Sequence, residues 1–128
     1  MVAATATAVL LLAGCARVIA TPPPSDTPAF SEVRVVAGVP VVLAARAARA
    51  LQESGFATRR FGSDSIWGSR SAESAAVRLR YSRASDDSTR VLFEIWIPCG
   101  ATTRCGRAES ALFFARLRQE EGMADVAP

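Results

Sequence analysis

The chain has 128 residues, half of them hydrophobic, and a formal net charge of +3. That length holds one domain on the usual scale of about 100–200 residues per domain, and the apolar content excludes a disordered tail. There is no His, Lys or Asn, so all 15 basic residues are Arg. A histidine base, an imidazole metal ligand, a Schiff-base lysine and a phosphate-loop lysine are therefore excluded.

Residues 1–16 carry no charged side chain, and Val9 to Ala13 form a short apolar run followed by Gly14 and Cys15. The run is too short to span a bilayer, which takes about 20 apolar residues, but has the length of a signal-peptide hydrophobic region. One reading is a buried Cys after an apolar helix. However, Leu12-Ala13-Gly14-Cys15 resembles the lipobox of bacterial lipoproteins, in which Leu and two small residues precede a Cys. Small residues let the chain thread an intramembrane protease, and the thiol is the nucleophile that takes a diacylglyceryl group. The resemblance implies a signal peptide over residues 1–14, cleavage before Cys15 and lipidation of Cys15. Two or three acyl chains anchor a protein stably where one does not. Ala16 stands where an Asp would favour retention in the inner membrane, so the resemblance implies the outer membrane and a periplasm-facing domain. Residues 15–30 then read as the lipidated Cys and a tether. Pro22, Pro23, Pro24 and Pro28 favour an extended polyproline chain and exclude a helix, so no packed structure is expected there.

The domain is expected over residues 31–122. Val33–Val36 suits a short strand. Pro40 opens a helix over residues 40–54, whose stripe of Leu43, Ala47, Ala50 and Leu51 opposes Arg46, Arg49 and Glu53. Gly55 is the C-terminal stop. The period then changes to two. Strands are expected over 56–61, 65–71, 75–83 and 89–97, the third with Val77, Leu79 and Tyr81 opposite Arg78 and Arg80. In the fourth, Val91, Phe93 and Ile95 oppose Leu92, Glu94 and Trp96. Turns at Gly62-Ser63-Asp64 and residues 84–88 make these an antiparallel meander. A last helix is expected over 107–120, with Leu112, Phe113, Phe114 and Leu117 apolar, closed by Gly122 and followed by a flexible tail over 123–128. The fold class is α+β: an antiparallel sheet of about four strands, covered on one face by two helices.

Cys99 and Cys105 bracket a short Gly-containing loop. In an oxidising periplasm they read as a disulfide worth about 2–3 kcal/mol, with two free thiols the alternative. A zinc site needs four ligands, and no cofactor is expected. Arg59, Arg60, Arg70, Arg78, Arg80, Arg83 and Arg90 fall in the strand region, where guanidinium groups suit phosphate or carboxylate partners. A solvated sheet face is the plainer reading of the same residues. Trp67, beside Gly68, is expected in the core. Trp96 falls on the outward register, either as a contact residue or partly covered. Arg78, Arg80 and Trp96 are the candidate binding residues. No carboxylate pair or Ser–His arrangement suggests catalysis, so the chain is not expected to be an enzyme.

The helix ending Ala50-Leu51-Gln52-Glu53-Ser54-Gly55-Phe56, the strand with Trp67-Gly68, Arg78-Leu79-Arg80-Tyr81, and Thr89-Arg90-Val91 before a helix are similar to the helix-grip domains of the BamC lipoprotein family. The resemblance covers about residues 33–120. BamC has two such domains and a long N-terminal segment, whereas here there is one domain and a short tether. The resemblance implies a protein-interaction or scaffold module in envelope assembly, with an envelope protein as partner; nucleic acid would fit the charge, but the expected compartment argues against it. Binding of an anionic lipid or small ligand, through the Arg-rich face or a helix–sheet groove, is the alternative.

Overall fold

The structure, a computed structural model, describes residues 22–98 and 103–126, with side chains described through residue 120. In chain order it has β1 (Phe30–Ala37), α1 (Pro40–Glu53), β2 (Ala57–Phe61), β3 (Ser65–Arg70), a 3-10 turn (Ser71–Glu73), β4 (Ala75–Ser85), β5 (Ser88–Trp96) and α2 (Arg104–Val126). The strands form one antiparallel sheet in the order β1-β5-β4-β3-β2. This is the expected α+β class, but with five strands instead of about four. The short strand expected over 33–36 is a full edge strand that pairs with β5 from Phe30↔Ile95 to Ala37↔Ser88. Its alternation hides it, because Glu32 and Arg34 take the inward register while Val33 and Val35 stand 54% and 58% exposed.

Both helices cover one face. Leu43, Ala44, Ala47, Ala50 and Leu51 of α1 meet Ile66, Val77, Leu79, Val91, Phe93 and Ile95 of the sheet. Alanines along the buried stripe of α1 let the helix lie close to the strands. From α2 come Phe113, Phe114 and Leu117. The rings of Phe93, Phe113 and Phe114 meet with centroids 5.0–6.2 Å apart, and such pairs add about 0.5–1.5 kcal/mol each beyond area burial. Arg49 reaches Glu120 at 2.9 Å and Arg116 reaches Glu53 at 3.8 Å, so the helices run antiparallel. Between them a hydrogen bond joins the carboxyl groups of Glu53 and Glu120, raising the pKa of the first and lowering that of the second.

α1 ends as the sequence predicts. Gly55 adopts φ +89°, its amide bonds Gln52 O at 2.9 Å, and Phe56 N bonds Leu51 O at 3.0 Å. That is a Schellman closure, and buried Phe56 supplies its apolar contact. α2 differs at both ends. It starts at Arg104 and continues through Gly122 to Val126, which corrects the flexible tail expected from residue 123. One interior Gly costs only about 1 kcal/mol, and Glu120, Glu121, Met123 and Ala124 around it are good helix formers.

The expected tether is also corrected where it is described. Residues 22–29 lie against the end of the sheet instead of standing free. Ala29 N donates to Ile95 O at 2.8 Å, and Asp26 O accepts the indole N–H of Trp96 at 2.8 Å. The prolines keep this segment extended, which lets it run along the strand ends without a helix. Cys15 and residues 16–21 lie outside the described residues, as do 1–14 of the expected signal peptide.

Candidate functional site

The face of the sheet opposite the helices is the candidate surface. The strand register sets Ser31, Glu94, Arg78, Trp67 and Arg59 in one row across the five strands. The next row holds Val33, Leu92, Arg80, Ser65 and Phe61. Beyond it stand Val35, Arg90 and Ser82. Among the described residues, no element packs over these two rows.

Arg78, Arg80 and Trp96 do come together on this face, but they are not equally available. The Arg78 guanidinium grips Glu94 with two hydrogen bonds, at 2.8 and 3.1 Å, and lies 5.4 Å from the Trp96 ring centroid. Arg80 approaches Glu94 only to 3.8 Å, and its side chain is 53% exposed. Trp96 is 6% exposed. Its register is outward, and of the two expected readings the structure has the covered one: residues 24–29 lie against it and Asp26 O takes its N–H.

Trp67 corrects the expectation of a core residue. In β3 the inward positions are Ile66 and Gly68. A Cβ at 68 would stand 3.3 Å from Phe56 Cβ and 3.5 Å from Leu51 Cδ1, a close fit that suits a small residue where α1 ends against the sheet. With Ile66 and Gly68 inward, the strand alternation turns Trp67 outward, where it stacks on Phe61 with centroids 3.5 Å apart. The Arg59 guanidinium lies 4.9 Å from the Phe61 centroid. Leu92 was on the outward register from alternation alone, whereas Phe61, Val33 and Val35 were not singled out from the sequence. Once β1 is paired with β5, the same period-two alternation identifies them.

The arginines of the strand region do not form one surface. Arg59, Arg78, Arg80 and Arg90 face outward, with Glu94 as the carboxylate among them. Arg70 turns inward and closes the base of the core. It bonds Ser54 O at 2.8 Å, pairs with Glu109 and Glu73 at 2.6 Å each, and lies 4.6 Å from the Phe56 centroid. Burial works against its charge, but the two carboxylates outweigh burial and raise its pKa. Arg60 and Arg83 belong to a separate cavity on the helix side.

A second cleft, of about 220 Å³, opens beside β1 between the helices. Arg34, Arg46 and Arg118 stand around Leu43, Phe114 and Leu117. Arg34 is committed inside the protein: it bonds both Glu32 oxygens at 3.2 Å and lies 4.5 Å from the Phe114 centroid. Ser110 also donates to Glu32. Burial tends to raise the pKa of Glu32, but the Ser110 hydroxyl and Arg34 prevail and lower it.

Cys105, in the first turn of α2, is disulfide-bonded. Cys99, its expected partner, lies outside the described residues. Among the described residues no group of three or more His, Cys, Asp or Glu side chains is placed to hold a metal ion. No described helix is long and apolar enough to cross a membrane. The chain matches no protein-family model, no curated protein and no solved structure.

Proposed function

We propose that this chain is a lipid-anchored bacterial lipoprotein of the outer membrane, and that its periplasmic domain is a protein-interaction module in envelope assembly. The anchor rests on Leu12-Ala13-Gly14-Cys15, with Cys15 as the acylated residue. The observation that carries the interaction role is the uncovered sheet face, where Val33, Val35 and Leu92 lie beside Arg80 and Arg90. A soluble domain ordinarily turns such apolar side chains inward, and their clustering with Arg is typical of contact surfaces. Arg80 replaces Arg78 and Trp96 as the leading contact residue, since those two are bound within the fold.

The test is a photo-crosslinking residue placed at Val35 in cells, with envelope proteins recovered and identified. The expected result is a discrete adduct that disappears in Arg80→Glu and is reduced in Cys15→Ser. No adduct, or the same adduct from a crosslinker at Ala45 on the outer side of α1, would remove the interaction role.

The excess of Arg over Glu on this face favours one second reading, adsorption to an anionic lipid surface. It calls for salt-sensitive binding to anionic vesicles that falls in Arg80→Gln and Arg90→Gln.

A further inference from the structure

β1 and β2 are the two edges of the sheet, and they are built differently. β2 has five residues, and Arg59 and Arg60 stand exposed within it. Short length and charge blunt an edge against pairing. β1 has eight residues and is paired along one side only. Gly38 N donates to Asp87 O at 2.7 Å, and that pair continues the register that sets Ala37 against Ser88. In an antiparallel ladder every second residue bonds the neighbouring strand, so Phe30, Glu32, Arg34 and Val36 bond β5. Ser31, Val33, Val35 and Ala37 turn their N–H and C=O groups to the open side. None of those groups bonds elsewhere among the described residues.

The side chains along this edge are as distinctive as its backbone. Outward, Ser31, Val33, Val35 and Ala37 are exposed and uncharged. Inward, Glu32 and Arg34 hold charge where the sheet has no further strand. They bond each other at 3.2 Å, yet their side chains stay 25% and 39% exposed. Inward charges on an edge strand block most partners, because an ordinary strand leaves them unmatched. Here the two signs stand two residues apart, and a strand with the same pattern running the other way matches both. That strand is β1 of a second copy.

We infer that β1 pairs antiparallel with β1 of a second copy of this chain, about a two-fold axis at Val33. Only registers that set odd residues against odd keep the inner and outer faces of both copies aligned. With Val33 opposite Val33, Glu32 faces Arg34 of the second copy and Arg34 faces its Glu32. Ser31 meets Val35, and Phe30 meets Val36. The N–H and C=O groups of Ser31, Val33 and Val35 then exchange ladder bonds between the copies. Sliding the second copy by two residues either way sets Glu32 against Glu32 or Arg34 against Arg34, and like charges directly opposite are destabilising. A two-fold joint closes on itself, and the blunted β2 edges end the joined sheet, so the assembly stops at two copies. No second layer packs across an edge joint, so the dimer is expected to be weak and to depend on concentration. The joint leaves the outer face with Arg80 and Arg90 open, and it does not rest on the lipid anchor or the envelope role.

The test is sedimentation equilibrium of the full chain with Cys15→Ser, which carries no acyl group, over a concentration series. The mass is expected to rise from 13.5 kDa toward twice that value. Glu32→Arg and Arg34→Glu should each weaken dimerisation by about tenfold or more, since like charges then face each other across the joint. Mixed in equal amounts, the two variants should regain the dimer, because one offers only guanidinium groups and the other only carboxylates. Recovery on mixing separates a lost pairing from a lost fold. Val33→Pro should abolish the dimer and keep the fold, as it removes an N–H on the open side of an edge strand. A single-chain mass throughout, no recovery on mixing, or a dimer that survives Val33→Pro overturns the inference. Amide exchange supplies the remaining check. Protection of Val33 and Val35 is expected to grow with concentration. Equal protection at every concentration would mean that another segment of the same chain holds the edge, and would overturn the inference as well.

Discussion

The two faces of the sheet use the same residue types to different ends. On the inner face Phe93, Val77, Leu79 and Ile95 are at most 1% exposed, and Arg70 is locked between carboxylates under α1 and α2. On the outer face Val33 and Val35 stand more than half exposed, and Arg80 and Arg90 point to solvent. An apolar or Arg side chain thus contributes most where a second element covers it. The comparison predicts a steep gradient of mutational effect across one sheet.

The largest effect is expected from Phe93→Ala, which empties the centre of the three-ring cluster and costs about 3–5 kcal/mol in urea denaturation. Arg70→Met comes next. It leaves Glu109 half-buried without its partner and costs about 2–3 kcal/mol, reduced from the fully buried case by the solvent that reaches the pair. Trp96→Phe keeps an aromatic side chain but shrinks it and removes the indole N–H bond to Asp26 O, whose loss alone costs about 1 kcal/mol. The same variant sharpens the comparison, because it should release residues 22–28 to proteolysis while leaving the core intact. Val35→Thr, on the open face, should move stability by less than about 0.5 kcal/mol. A loss comparable to Phe93→Ala there would mean that the outer face is covered.

Acid provides a further contrast. The folded-state pKa of Glu32 lies below its ordinary 4.5. The stabilisation from its Arg34 and Ser110 contacts is therefore complete above about pH 4.5 and lost as pH falls through the folded value. Glu32→Gln should flatten that part of the stability profile.

Much of the fold was legible because β4, β5 and α1 each show one clean period and end on a recognisable stop. The Gly55 closure and the inward set Val77, Leu79 and Tyr81 follow from residues within a few positions of each other. The rest depended on partners far away in the chain. β1 carries Glu32 and Arg34 on its inward register, and only its pairing with β5 and the reach of Ser110 make sense of them. Trp67 was expected inside because aromatic residues favour the core. Its register, set by buried Ile66 on one side and Gly68 under Leu51 and Phe56 on the other, turns it out. The prolines of residues 22–28 correctly exclude a helix, but extended chain is as suited to lying along a sheet as to standing free. At the candidate surface, Arg80 was legible from alternation alone. That Arg78 and Trp96 are already engaged required the registry of Glu94 and Asp26.

The most direct test of the account is metabolic labelling with a palmitate analogue, comparing wild type with Cys15→Ser after membrane fractionation. The account predicts label and membrane retention in the wild type and loss of both in the variant. A chain that is unlabelled in both, or retained equally in both, would contradict the lipid anchor and the envelope setting built on it.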